Sequence, residues 1–179
     1  PLIATYNFED ASHNTGIETW YMGVGENNAG EFYTMDRQTL RTSVLIVSGT
    51  VNNQVDFEKG IDKDFDSSVF KRGRTIKGVI NTGVSWNQYE GAGAVTAQGY
   101  VIVKLIKVAA DATETIIGTM QSDTATGGDS RLYLTDFMQV TATETHIEVG
   151  AKLRITLEVW WYQSAGTSQG AISDSVYID

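Results

Sequence analysis

Five residues, Asp62-Lys63-Asp64-Phe65-Asp66, set three carboxylates at alternate positions, the opening pattern of a loop that could gather oxygen ligands around calcium. Counted from Asp62, however, position six holds Ser67 and position twelve holds Gly73, where a calcium loop needs Gly and a bidentate Glu. The expectation is a solvated acidic turn, with Asp62, Asp64 and Asp66 as the candidate ligands if a cation binds at all. His13 and His146 are the two imidazoles of the chain, and no Gly-x-Ser-x-Gly elbow accompanies them, so a hydrolase triad has no local signature. Gly23-Val24-Gly25 and Gly91-Ala92-Gly93 lack the full dinucleotide fingerprint and a helix to follow it, and they read as turns. With 22 acidic residues, no carboxylate pair of the glycosidase type can be singled out. The expectation is therefore no catalytic residue, no cofactor and no enzyme.

The aromatic residues are the more suggestive set. Trp20-Tyr21, Phe32-Tyr33, Trp86 with Tyr89, and Trp160-Trp161-Tyr162 place large rings beside polar residues. An exposed ring on a sheet can stack on a sugar face, so Trp86, Tyr89 and Trp160 are the candidate partner or glycan contacts. Strand alternation sends Trp161 inward with Val159 and leaves Trp160 outward.

Those rings must be carried by strands. Lys152 to Trp161 alternates with period two: Leu153, Ile155, Leu157, Val159 and Trp161 share one face, and Lys152, Arg154, Thr156 and Glu158 share the other. Gly99 to Val108 is apolar on both faces and rich in β-branched residues, the composition of a central strand covered on both sides. Asp111-Ala112-Thr113 turns it into a second strand over Glu114 to Met120. Further strands are expected at Leu40 to Ser48, Arg74 to Asn81, Arg131 to Val140, Thr145 to Glu148 and Ala171 to Ile178, with fainter signals at Ile3 to Phe8, Glu18 to Val24 and Glu31 to Met35. Short helices are conceivable only at Asp62 to Phe70 and Thr135 to Gln139. Gly23 to Gly30, Asn87 to Gly93, Gln121 to Ser130 and Ser164 to Gly170 have loop compositions. Strands separated by Gly-rich turns, with no alternating helices, predict an all-β, antiparallel sandwich of jelly-roll type, built as one domain over residues 1–179 with 1–10 as an extended N-terminal arm.

Composition narrows the partners. Of 179 residues, 41% are apolar and 20% charged, enough for a real core. A formal charge of −9 argues against nucleic acid and against anionic membranes, and Lys71-Arg72-Gly73-Arg74 is too short a basic cluster to reverse that. No Cys is present, so disulfides and thiolate chemistry are excluded. Eighteen Gly stand against one Pro, leaving no proline to guard a sheet edge.

Gly73 to Gly78, Val101 to Gly118 and Gly150 to Trp160 resemble the long strands of jelly-roll proteins on virus particles, and the small, acidic, Cys-free character is similar to that of tailed-virus head decoration (cement) and minor capsid proteins. That resemblance implies a non-catalytic structural virion protein on the capsid surface, made in the host cytoplasm. It implies two kinds of partner, the major capsid protein and further copies of the chain, often as a homotrimer. The alternative from the residues themselves is a carbohydrate- or receptor-binding sandwich module. The virion reading uses the second apolar face of Gly99 to Val108 as a surface for a partner, while the alternative rests on Trp86, Tyr89 and Trp160.

Overall fold

The computed structural model describes residues 21–27, 30–36, 45–51, 56–88, 97–127, 132–163 and 170–176. Every element in them is a β-strand: β1 (Tyr21–Asn27), β2 (Gly30–Asp36), β3 (Leu45–Val51), β4 (Glu58–Ser67), β5 (Arg74–Gln88), β6 (Ala97–Val108), β7 (Glu114–Gln121), β8 (Ala125–Gly127), β9 (Leu132–Ile147), β10 (Lys152–Gln163) and β11 (Gly170–Val176). One sheet runs β1-β2-β4-β10-β6-β7, with β8 also on β6. The other layer is built from the pairs β3-β11 and β5-β9. Pairing is antiparallel throughout except at a two-residue contact, Thr34 with Asp66 and Met35 with Ser67, where β2 meets β4 in parallel. The protein is an all-β sandwich, as the strand patterns require.

The core forms where the alternating faces of the two layers meet. Leu153, Ile155, Leu157, Val159 and Trp161 of β10 and Val101, Val103 and Leu105 of β6 face Val84 and Trp86 of β5 and Met138 and Val140 of β9, all of them buried. Two glycines let large groups close the interior. At Gly60 a Cβ would lie 2.1 Å from the Trp161 ring, and at Gly118 it would lie 2.7 Å from Val140 Cγ1, so β7 approaches β9 where no side chain intervenes. The β6–β7 turn falls where the sequence placed it: Asp111 Oδ1 accepts the Thr113 amide at 3.0 Å, and Ala112 takes a φ of 68°.

Several expectations change, among them the loop at Gln121 to Ser130, which holds the end of β7 and all of β8. Asp62 to Phe70 is not helical: Asp62 to Ser67 belongs to β4, in which Ile61, Phe65 and Ser67 are buried while Asp62, Asp64 and Asp66 face outward. Thr135 to Gln139 likewise lies inside β9, which runs unbroken through the positions read as two separate strands. Gly23 to Gly30 is no loop, since all but its 28–29 tip is strand, with Val24 opposite Tyr33 and Gly25 opposite Phe32. The second face of Gly99 to Val108 is partly roofed by the chain itself. Arg154 on β10 donates through Nη1 to Glu114 on β7 at 2.5 Å, so its side chain crosses β6 at its rung partner Ile106, which is 6% exposed. The strand expected at Ile3 to Phe8 and the arm 1–10 lie outside the described residues.

Candidate functional site

The outer face of β4-β10-β6 carries the most polar chemistry in the described residues. Its positions follow from register: Arg154 stands opposite Asp66, Thr156 opposite Asp64 and Glu158 opposite Asp62, so three acids of β4 confront the polar stripe of β10. Arg154 holds Asp66 through Nε at 2.6 Å and through Nη2 at 3.1 Å, and Lys152 donates to the same carboxylate. Asp64 accepts from the Thr156 hydroxyl at 2.5 Å and lies 3.0 Å from Arg154 Nη1, while Asp62 pairs with Lys59. Burial pushes the Asp66 carboxyl upward, but its bonds to Arg154 and Lys152 outweigh that and hold it below its ordinary value.

The three aspartates stand on a strand, not in a calcium-type loop. Alternate residues of an extended strand stand about 6.5–7 Å apart, too far to converge on one ion without a loop to curl them together. Each carboxylate is also already engaged by a Lys, an Arg or a Thr. No group of three or more metal-ligating side chains forms among the described residues.

Glu158, which the sequence reading did not single out, is the pivot of this face. The residue is 4% exposed, and its carboxylate accepts from Lys104 Nζ at 2.6 Å, Trp160 Nε1 at 3.0 Å and Lys59 Nζ at 3.4 Å. Burial raises its pKa, and the bonds from Lys104 and Trp160 more than reverse the effect, leaving it ionised at neutral pH. A signal for it exists in the sequence: Lys104 and Lys107 interrupt the apolar run of β6, and the countercharge to Lys104 on the neighbouring strand is the acid two positions before Trp160.

Beyond Glu158 lies a ledge of rings. Tyr100 stacks on Trp160 with centroids 6.4 Å apart and planes at 12°, and Phe57 tilts against Tyr100 at 5.0 Å and Tyr162 at 5.8 Å. All four are half-buried. Trp160 and Tyr100 are rung partners in the β10–β6 ladder, and Tyr162 follows Trp160 on the same face, so strand periodicity sets these three, and Phe57, just before β4, packs against two of them. Trp160 is thus an outward ring, as expected. Trp86 is not: it is 2% exposed, lies against Gly99, and donates its Nε1–H to Asp136 Oδ2 at 2.6 Å, which removes it from the candidate contacts. Tyr89 lies outside the described residues, as does His13. His146 is exposed and meets the Thr75 hydroxyl through Nδ1 at 3.4 Å.

The opposite outer face, on β5 and β9, is of another kind. Phe137 lies across from Gly83 and is 86% exposed, and a hollow of about 360 Å³ opens among Asn81, Thr82, Gly83, Phe137, Met138 and Gln139.

No protein-family model and no curated protein matches the sequence. Solved structures do match the fold. A CocE/NonD-family hydrolase from Staphylococcus aureus superposes on 89% of this chain with a TM-score of 0.51 and 8% identity, and this chain spans 36% of that hydrolase's length. A second crystal structure of a CocE/NonD-family hydrolase from the same organism gives a TM-score of 0.50 at 10% identity over the same shares of both chains. A structure of infectious bursal disease virus, Gt strain, aligns over 86% of this chain and 36% of that one at 13% identity, but its TM-score of 0.29 carries no argument. The resemblance to virion proteins therefore reduces to the all-β sandwich itself. The hydrolase neighbours overturn the expectation of a non-catalytic virion protein, its glycan- or receptor-binding alternative, and the exclusion of an enzyme. At such low identity the likeness is one of fold.

Proposed function

We propose that this chain is a β-sandwich domain of hydrolase type, working in a protein that cleaves its substrate with water. The observation that carries this reading is the superposition of 89% of the chain on 36% of a CocE/NonD-family hydrolase. The fold is thus one that a hydrolase holds as part of a longer chain. The ledge of Phe57, Tyr100, Trp160 and Tyr162 supports a share in substrate binding, because half-buried rings beside a satisfied ion-pair floor give an apolar group a place to pack without stranding a charge. In this reading the ledge takes the apolar acyl or aryl portion of the substrate.

The test is hydrolysis of a panel of p-nitrophenyl esters and amino-acid p-nitroanilides by the protein expressed from its complete natural reading frame. Turnover is expected, with KM rising in Tyr100→Ala while the far-ultraviolet spectrum of the sandwich is kept. Absence of turnover across the panel in a folded preparation overturns the reading.

A further inference from the structure

We propose that the ledge of Phe57, Tyr100, Trp160 and Tyr162 binds a trimethylammonium group carried by a small, soluble molecule. The proposal deepens the hydrolase reading, on which it rests for making that molecule a substrate; the binding itself is measured without turnover.

Charge makes the first argument. The floor beside the rings sets Asp62 and Glu158 against Lys59 and Lys104, two acids against two bases. Asp56 stands outside that balance: it is exposed, accepts the Phe57 amide at 2.8 Å, and meets no cation among the described residues. Burial first, and then the carboxylates of Asp56 and Glu158, push the Tyr100 hydroxyl above its ordinary value, so both acids bear on that ring. An anion is repelled from such a place, and a neutral ligand leaves its surplus negative charge unmet. The ring faces attract positive charge as well, and one already has it: Lys59 Nζ lies 6.0 Å from the centroid of the Trp160 ring.

Hydrogen-bonding capacity decides which cation. A primary ammonium brings three N–H donors, and each needs an acceptor once water is displaced. The buried carboxylate of this face, Glu158, already accepts from Lys104, Trp160 and Lys59. A trimethylammonium has no donor to satisfy and offers a surface of methyl groups to the rings. Phe57 meets Tyr100 at 47° and Tyr162 at 46°, so the rings make inclined faces rather than a flat stripe, and a round cation can touch more than one. The rings are half-buried, and Asp62, Asp64 and Asp66 lie on the same outer face of the sheet. Such a face neither projects into a bilayer nor tolerates a layer of lipid phosphates, which favours a soluble ligand over a lipid headgroup.

The test is titration of the protein, expressed from its complete natural reading frame, with choline chloride to about 50 mM at constant ionic strength. Tryptophan fluorescence and saturation transfer to the choline methyl protons report binding, with an expected Kd of about 1 mM or tighter. The neutral carbon isostere of choline and ethanolamine should each bind at least ~5-fold more weakly. Tyr100→Leu should weaken choline about 10-fold, whereas Tyr100→Phe, which keeps the ring, should hold it within about 2-fold. Asp56→Asn, an exposed change that serves should Tyr100→Leu fail to fold, should weaken it about 3-fold. No binding across the titration, equal affinity for the isostere or for ethanolamine, indifference to both Tyr100→Leu and Asp56→Asn, or binding to phosphatidylcholine vesicles without binding to choline overturns the proposal. Choline binding in a preparation that hydrolyses no ester or anilide upholds the site and counts against the hydrolase reading alone; turnover without choline binding does the reverse.

Discussion

Replacing Glu158 tests whether the ion-pair floor under the aromatic ledge is a structural unit. Its side chain is 5% exposed, and its charge is met by Lys104 at 2.6 Å and Lys59 at 3.4 Å. Breaking a fully buried pair by deleting one partner costs about 3–5 kcal/mol, because the other charge is left without a counterion in low dielectric. Here the lysines are 26% and 34% exposed, so after Glu158→Leu their ammonium groups can turn toward water along flexible stems. The Trp160 indole N–H loses its acceptor as well. Together these place the cost at about 2 kcal/mol, below the fully buried case and above an exposed pair. In a chain of this size that lowers Tm by about 4–8 °C. Lys104→Met restores part of the loss in the double variant, since an apolar stem then lies over the new leucine, and the cycle should return a coupling of at least ~1 kcal/mol. The assay is urea unfolding of the four proteins at pH 7, read by tryptophan fluorescence and circular dichroism. A Glu158→Leu cost below about 0.5 kcal/mol, or additive single and double effects, refutes the reasoning.

Acid should loosen the same face. Asp66 and Glu158 both have folded-state pKa values below the ordinary 3.8 and 4.5, so their contribution is fully present above those values and is lost as pH falls through the lower folded ones. The urea midpoint should drop below about pH 4, and less steeply in Glu158→Gln; an unchanged slope in that variant removes Glu158 from the linkage. Gly60→Ala drives a methyl toward the Trp161 ring, with the nearest ring atom 2.1 Å from the new Cβ, and should cost about 1–3 kcal/mol in unfolding experiments; a neutral result means the ring has room to retreat. Millimolar calcium should leave Tm unchanged, because Asp62, Asp64 and Asp66 are held by the chain's own cations and by Thr156. A rise in Tm with calcium would show that the metal can displace those partners.

What the sequence disclosed depended on whether a signal lay within one strand or between strands. The inward row of β10 and the β6–β7 turn are local patterns, and both read directly from period and turn chemistry. Asp62 to Asp66 misled because aspartate disfavours strands in isolation, yet its period-two spacing is a strand's, and the compensation for Asp64 and Asp66 sits 86 or more residues away on β10. Trp86 misled for a related reason: its neighbours Ser85 and Asn87 look like loop residues, but β5 carries on to Gln88, and the indole N–H finds Asp136 on the paired strand. The apolar second face of β6 invited a partner that Arg154 in part replaces, by spanning from Asp66 on β4 to Glu114 on β7 across Ile106. The uncharged rungs of β5-β9 reverse this case. Each residue there is ordinary alone, and only the pairing of Gly83 with Phe137 lets an exposed ring lie against the open position of a glycine. Surfaces made by register across a sheet are where the sequence was silent, and the ion-pair floor is built in that way from three strands.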